Sequence, residues 1–171
     1  QHLEDFSGTW LHVFDFRSFS TIIFVNNAST IEPINKFKDI SMDLLKKSIF
    51  VNTLAAGKIS HYLMNHKKKH SKLIIFNISS GASSHPIDGW SSYCSTKAAT
   101  KMMLDVINLE NEDISVCHHD PGIVDTNMQQ KIRSSNKKQM TNIEYFRKAK
   151  LVKAREAAKR ILEEIDNMIS I

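Results

Sequence analysis

Tyr93 and Lys97 are four residues apart at the start of a segment whose apolar residues follow helical spacing. Residues four apart share one face of a helix, so the phenol and the ammonium lie one turn from each other. An adjacent cation stabilises a phenolate, which predicts a tyrosine pKa below its usual value of about 10. Such a phenol is a general acid for a ketone oxygen. A tyrosine–lysine pair on a solvated helix surface is the plain structural alternative.

Ser79 and Ser80 end an apolar stretch at residues 73–78, and Ser80 precedes Tyr93 by thirteen residues. In parallel α/β sheets, the carboxyl ends of the strands are where binding sites form. A hydroxyl at that place would hydrogen-bond a substrate carbonyl beside the tyrosine. The alternative is that these serines only begin a loop.

Three further polar segments are candidates. Asn26-Asn27-Ala28 follows the apolar stretch 21–25, so its small side chains would allow close approach to a nucleotide, or would form an Asx turn. Asn52 interrupts an apolar helical pattern, which predicts a partner: a backbone carbonyl, or a water that relays a proton to Lys97. A solvent-facing asparagine is the alternative. The Asp120–Thr126 segment contains a Pro-Gly step, whose amides would bind a carboxamide or phosphate, or form an ordinary turn.

The elements that position these residues alternate along the chain. Short continuous apolar runs rich in β-branched residues are typical of strands covered on both faces. We predict strands at 10–14, 21–25, 73–78 and 114–118, and helices at 41–65, 91–109 and 153–168. The alternation indicates an α/β fold, a doubly wound, Rossmann-like parallel sheet in three layers. The polar stretch 129–142 predicts a mobile loop over a site.

Composition narrows the function classes. The 171 residues suit one domain, 1–171, with 42% hydrophobic and 24% charged residues and a net charge of +5. No apolar run approaches the ~20 residues of a membrane span. Two cysteines without metal-ligand spacing predict no metal site and a cytoplasmic location. The lysine cluster at 66–70 has no interleaved aromatic residues, so we expect a solvated helix end and no nucleic-acid partner.

In order, the motifs Asn-Asn-Ala, a helical Asn, Ser-Ser, Tyr-x-x-x-Lys and Pro-Gly-x-x-x-Thr resemble the short-chain dehydrogenase/reductase family. The resemblance implies a catalytic tetrad of Asn52, Ser80, Tyr93 and Lys97. In that family the tyrosine donates the proton and the serine orients the carbonyl. The lysine holds the cofactor ribose and acidifies the tyrosine, and the asparagine anchors a water. Asp15 resembles the family's acidic residue near the adenine.

The segments 89–94 and 121–130 are similar to those of the sepiapterin reductase and benzil reductase branch. That similarity implies NADP as cofactor, with NAD not excluded, and a homodimer or homotetramer that pairs the two long helices. The implied substrate-binding residues are Ser80, Gly81, Trp90, Tyr93 and Gly122. The implied cofactor-binding residues are Asp15, Asn26, Ala28, Tyr93, Lys97, Pro121, Gly122, Val124, Asp125, Thr126, Asn127, Met128 and Gln129.

The sequence also departs from the family. The glycine-rich phosphate turn is absent, and residues 16–20 are too few for a parallel crossover of ~10–12 residues. Either a hairpin forms there or a crossover helix is missing. We favour the second, so we expect the chain to lack the N-terminal β-α-β portion, a helix between 15 and 21, and its C-terminal end. Ser29 replaces the usual glycine and would crowd the backbone near the cofactor.

The sequence therefore predicts an NADPH-dependent carbonyl reductase that transfers hydride to a ketone or vicinal diketone, sepiapterin-like or benzil-like, with Tyr93 as proton donor. The acidic residue that grips the pterin in sepiapterin reductases has no counterpart, which weakens the pterin assignment. The alternative is a catalytically inactive protein that senses nucleotides or acts as a scaffold on the same fold.

Overall fold

Three parallel strands form the sheet in the computed structural model, which describes residues 15–169. They are β1 (Thr21–Asn26), β2 (Lys72–Ile78) and β3 (Ile114–His119), in that spatial order. Helical crossovers connect β1 to β2 and β2 to β3, and both pairs are parallel, so all carboxyl ends lie at one edge. The expected Rossmann-like α/β architecture is confirmed. The strand expected at 10–14 lies outside the described residues.

Six α-helices surround or extend this sheet. The strong apolar patterns predicted three helical regions, and the structure confirms each to within two residues at its ends. The helices are α1 (Met42–Ile49), α2 (Ala55–His66), α3 (Ser91–Glu110), α4 (Asn127–Ser134), α5 (Ile143–Lys148) and α6 (Ala154–Ile169).

The polar stretch 129–142 is not the irregular loop that its composition predicts. Residues up to Ser134 continue α4, and Met140 is fully buried. Ile132 on α4 and Ile143 on α5 pack into the same apolar cluster as Met140. Because these three apolar side chains are buried in one cluster, the polar stretch packs against the rest of the domain on one side.

The long helical segment between β1 and β2 is not uniform. Phe50–Leu54 forms a π-helical turn between α1 and α2. A π turn inserts one extra residue and is often found at functional sites. Asn52 lies in the middle of this turn and is buried. The irregular turn therefore sets the direction in which this amide points.

Two apolar clusters hold the fold. The first joins one face of the sheet to α2 and α3, and its buried members are Ile22, Leu63, Leu73, Ile75, Leu104 and Ile114. The opposite face carries Phe76 and His119, whose ring contacts lie under α6. Helices thus cover both faces, as in a three-layer domain. The second cluster lies beyond the carboxyl edge of the sheet, around Trp90, Tyr93 and Phe146.

Across residues 15–169, no helix combines the length and the apolar character needed to cross a bilayer.

Candidate active site

A cavity of about 830 Å³ opens at the carboxyl edge of the sheet, next to the amino end of α3. Most of the residues expected to bind cofactor or substrate line it. These are Ser80, Gly81, Trp90, Tyr93, Lys97, Pro121, Gly122, Val124, Thr126, Met128 and Gln129. The fold therefore brings together motifs that are more than forty residues apart in the sequence, such as Ser80 and Thr126.

Tyr93 lies in the first turn of α3 and is buried. Burial raises the pKa of its phenol, because a buried phenolate loses hydration, and the side-chain hydroxyls of Ser80 and Ser29 act in the opposite direction. The expected net fall in this pKa is therefore wrong for the described chain, where burial outweighs the stabilising contacts. Because its pKa is raised above the ordinary value, Tyr93 keeps its proton at neutral pH.

Lys97 lies one turn further along α3, with its Nζ 5.6 Å from the centroid of the Tyr93 ring. The ammonium donates a hydrogen bond of 2.8 Å to the backbone oxygen of Ile78, at the end of β2. Burial lowers the pKa of Lys97 to about 8, and the nearby carboxylate of Asp120 acts in the opposite direction. Lys97 thus remains mostly charged at neutral pH, although its charge is poorly hydrated.

Asn52 uses its side chain to hold the segment that follows β1. Its Oδ1 accepts a hydrogen bond of 2.8 Å from the backbone N–H of Thr30, and its Nδ2 donates to the oxygen of the same residue at 2.9 Å. The same Nδ2 also donates to Thr96 Oγ1 and Ser48 Oγ. Of the three predicted environments, the structure shows the backbone partner, and the solvent-facing alternative is wrong.

The segment after β3 is shaped by a turn. The backbone N–H of Gly122 donates to Asp120 Oδ1 at 2.9 Å, and Gly122 adopts a positive φ of 73°. No atom lies within 4 Å of the place where a Cβ at Gly122 would project, so the turn leaves open space beside it. Thr126 then precedes α4 without a side-chain capping bond. The first N–H groups of α4 are therefore available to an acceptor near the cavity.

A row of polar side chains crosses the sheet beneath this site. Asn26, Asn77 and His118 are register partners on the three neighbouring strands. Asn26 Nδ2 donates to Asn77 Oδ1 at 2.8 Å, and Asn77 Nδ2 lies 2.9 Å from His118 Nδ1. His118 Nε2 lies 2.9 Å from Asp105 Oδ1 on α3, and Lys101 binds the other oxygen of that carboxylate. Hydrogen bonds satisfy these buried amides without using the cavity.

Six expected site residues do not line the cavity: Asp15, Asn26, Ala28, Asn52, Asp125 and Asn127. Asn26 and Asn52 act behind it through the contacts given above. Asp15 lies before the amino end of β1, where its carboxylate accepts from the backbone N–H of Arg17. The six residues of β1 separate it from the carboxyl edge by about 20 Å. Its expected place near an adenine therefore gains no support from the described chain.

The structure adds residues to the lining that were not among the expected catalytic or binding residues. Asn27, Ser29 and Asp120 contribute polar groups to the lining, and Phe146 forms an aromatic wall with Trp90 at a ring distance of 4.9 Å. The α6 residues Ala157, Ile161, Leu162 and Ile165 close another side. Phe146 and α6 are distant in sequence from the polar motifs, and no chemical pattern marked them.

The carboxylate of Asp88, two residues before Trp90, links the loop before α3 to neighbouring segments by hydrogen bonds. Asp88 accepts two short hydrogen bonds from Lys36 Nζ and one of 2.8 Å from the backbone N–H of Thr141. These donors keep the pKa of Asp88 well below its usual range. Beside it, Gly89 has a φ of 80°, and a Cβ there would lie 2.4 Å from the backbone oxygen of Gln139. This close approach joins the loop before α3 to the segment between α4 and α5.

Comparison with known proteins agrees with this geometry. The model of the family described as "short chain dehydrogenase" matches residues 19–137, which is most of the chain. The chain belongs to the short-chain dehydrogenase/reductase family. The match spans all three strands, the polar turn after β3 and the Tyr93–Lys97 pair.

Two relatives within the short-chain dehydrogenase/reductase family are informative. A benzil reductase ((S)-benzoin forming) of Bacillus subtilis (strain 168) is 37% identical over 145 residues, which cover 82% of this chain and 60% of that protein. The sepiapterin reductase of Bos taurus is 34% identical over 98 residues, covering 54% of this chain and 36% of that protein. The chain thus spans between about a third and three fifths of these relatives. The expected likeness to this branch is confirmed.

A solved short-chain dehydrogenase/reductase of Saccharomyces cerevisiae has a similar fold. It superposes with a TM-score of 0.70 at 26% sequence identity, covering 77% of this chain and 54% of that one.

Proposed function

We propose that this chain is the catalytic part of an NADPH-dependent carbonyl reductase that acts on a ketone or vicinal diketone. The observation that supports this most directly is the arrangement of three groups in one cavity. The Tyr93 phenol, the Ser80 hydroxyl and the Lys97 ammonium all line it. A general acid, a second hydrogen-bond donor and a cation are suited to stabilise and protonate the oxygen of a carbonyl group whose carbon receives a hydride.

In this mechanism the carbonyl oxygen of the substrate accepts hydrogen bonds from Tyr93 and Ser80. Negative charge grows on that oxygen during reduction, and Tyr93 transfers its proton to it. Lys97, 5.6 Å from the Tyr93 ring, then stabilises the phenolate that remains. Because Tyr93 is protonated at neutral pH, it acts as an acid in the direction of reduction. A bound nicotinamide cofactor would supply the hydride.

The described residues fit such a cofactor. The turn at Gly122 leaves open space at the edge of the sheet, and the uncapped start of α4 offers N–H groups with a favourable helix dipole to a carboxamide or phosphate. Lys97 would hold a ribose hydroxyl, and Asn27 and Thr126 line the same cavity. The choice of NADP follows from the similarity to the sepiapterin and benzil reductase branch, and NAD is the alternative in the experiment below.

The walls of the cavity favour an aromatic substrate. Trp90 and Phe146 lie ring to ring at 4.9 Å, and Ile31, Ile87 and Met128 extend this apolar surface. Burying an aromatic ring against such a wall is favourable, and offset ring contacts add to it. A benzil-like diketone, with a ring on each side of the reacting carbonyls, fits this apolar wall. The 37% identical relative, a benzil reductase, supports the same class of substrate.

We also propose that the protein forms a homodimer or homotetramer through its long helices. Met102, Val106 and Leu109 are exposed on α3 at spacings of four and three residues, so they share one face. Leu44 on α1 is exposed as well, and α1 packs beside α3. A second copy that covers this apolar strip would remove it from water.

The proposed function is tested by replacing the acid. Tyr93→Phe removes only the phenol oxygen, and we expect carbonyl reduction to fall by at least about 100-fold, the usual contribution of a general acid. Cofactor affinity, measured by fluorescence titration with NADPH and NADH in parallel, should stay within about twofold of that of the parent. The reason is that Lys97, which would hold the ribose hydroxyl, is unchanged in this variant.

The matched control is Tyr62→Phe on α2, where the ring stacks on His66 far from the cavity. It should leave reduction of benzil and sepiapterin unchanged. If Tyr93→Phe retained full turnover, the acid role would be refuted. If neither substrate were reduced by the parent protein, the carbonyl reductase assignment would be wrong and the scaffold alternative would take its place.

A further inference from the structure

His118 lies on β3 and connects α3 to the neighbouring strand β2. Its Nε2 lies 2.9 Å from Oδ1 of Asp105 on α3, and its Nδ1 lies 2.9 Å from Nδ2 of Asn77 on β2. The side chain of His118 is only 15% exposed, so both contacts are largely shielded from bulk water. Buried polar side chains that are paired in this way make the packing of the elements they join more specific.

The carboxylate of Asp105 is held in place from its own helix. Lys101, one turn before it, donates to Asp105 Oδ2 at 2.7 Å. This hydrogen bond lowers the pKa of the Asp105 carboxyl, so the group is ionised at neutral pH and accepts from His118 as a carboxylate. Hydrogen bonds to an ionised acceptor are stronger than those between neutral groups. The imidazole is therefore bound firmly to α3.

The other end of this connection lies next to Lys97. Asn77 directly precedes Ile78, whose backbone oxygen accepts the 2.8 Å hydrogen bond from Lys97 Nζ. Lys97, Lys101 and Asp105 follow one another at intervals of four residues, so they share one face of α3. The contact of Asp105 with His118 thus attaches α3 to the sheet about two turns after Lys97. It limits how far the helix can shift relative to the strand that carries Ile78.

We propose that His118 is a positioning residue for Lys97, since it holds α3 on the sheet at the place where the Lys97 ammonium meets a cofactor ribose. The inference rests on the proposed function, in which Lys97 holds that hydroxyl. His118 is not among the residues that line the cavity, so it acts through other groups. Without the imidazole, Asp105 still pairs with Lys101, but that pair joins α3 only to itself.

The test measures cofactor binding and needs no turnover. His118→Leu is titrated with NADPH, and the dissociation constant is read from the fluorescence of the cofactor. A complete hydrogen bond to a charged group contributes roughly 10- to 100-fold to binding, and a displaced ammonium loses part of this. We therefore expect the dissociation constant to rise roughly 3- to 30-fold. The KM for benzil should stay within about twofold of that of the parent, because His118 does not touch the substrate cavity.

A double-mutant cycle separates positioning from a general loss of structure. Lys97→Met removes the ammonium, and His118→Leu is then introduced into that variant. If His118 acts through Lys97, the second substitution should change the NADPH dissociation constant by less than about twofold. A loss of the same size with and without Lys97 would refute the proposal, since His118 would then affect the cofactor by another route.

Two further variants serve as a rescue and a matched control. The amide of His118→Gln offers a donor and an acceptor to two partners, as the ring does, so NADPH binding should return to within about threefold of that of the parent. Asn108→Ala removes a different contact between α3 and β3, in which Asn108 Oδ1 accepts from the backbone N–H of Val116 at 2.8 Å. It should lower stability in urea and leave NADPH binding unchanged.

Circular dichroism selects the folded variants. If His118→Leu does not fold, Asp105→Ala breaks the same connection at a side chain that is 38% exposed, and it replaces His118→Leu in the cycle. An unchanged dissociation constant in either folded variant would refute the proposal, as would an equal loss in Asn108→Ala or no recovery in His118→Gln. If the parent bound NADPH but reduced neither benzil nor sepiapterin, the proposed function would fail, whereas the cycle would still decide whether His118 acts through Lys97.

Discussion

Lys97 is a buried cation, and the free-energy cost of burying its charge can be measured. The drop of its pKa from 10.5 to about 8 corresponds to roughly 3 kcal/mol, since one pKa unit is worth about 1.4 kcal/mol. At neutral pH the side chain is charged in both the folded and the unfolded chain, so the folded protein bears this cost. Lys97→Met removes the charge and keeps the shape of the stem.

The folded pKa is the lower one, which fixes the sign of the pH dependence. Between pH 8 and 10.5 the unfolded chain binds more protons than the folded chain, so stability rises with pH there. We expect the unfolding free energy of the parent, relative to Lys97→Met, to be constant below about pH 8. It should then increase by about 2.5 kcal/mol by pH 10.

The assay is urea unfolding of both proteins at several pH values between 6 and 10, with the midpoint and slope fitted for each. Taking the difference between the two proteins cancels the titrating groups that do not interact with Lys97. A flat difference would mean that Lys97 is well hydrated in the folded chain, and a falling one would mean that its pKa is raised. Either result would refute the argument that burial dominates at this site.

Two further predictions use matched pairs. Gly89→Ala should lower the free energy of unfolding in urea by about 2–4 kcal/mol, and Gly122→Ala by only about 1 kcal/mol. Both glycines have a positive φ, but only at Gly89 would a new Cβ meet a backbone oxygen. Equal losses in the two variants would contradict this reasoning. Val106→Glu should lower the mass of the oligomer measured by light scattering, because it places a charge in the proposed α3 interface. The control Lys159→Glu, at an exposed position of α6, should leave the mass unchanged. An unchanged mass for Val106→Glu would exclude the α3 interface.

The strands and long helices could be predicted because one physical requirement dominates each of them. β2 has five consecutive buried residues, and the first four of them, residues 73–76, form a continuous apolar run. The seam between α1 and α2 could not be predicted, since a π turn depends on where Asn52 finds its hydrogen-bond partners. The helical pattern continues through the turn and does not record it.

For the candidate site, the ordered motifs indicated a set of polar groups, and the cavity brings most of them together. The electrostatics could not be derived from spacing. A lysine four residues after a tyrosine suggests a lowered phenol pKa, but the outcome depends on the burial of Tyr93 and on the carboxylate of Asp120. Phe146 could not be predicted either, because it reaches the cavity only through the tertiary packing of α5.

The row of side chains under the site has a direction. The carboxylate of Asp105 can only accept, so Nε2 of His118 carries the hydrogen and, in the neutral ring, Nδ1 is left to accept. Asn77 must then turn its NH₂ towards the imidazole and its oxygen towards Asn26. Through three successive hydrogen bonds, the Asp105 carboxylate on α3 therefore determines that Asn26, the last residue of β1, turns its NH₂ group towards Asn77.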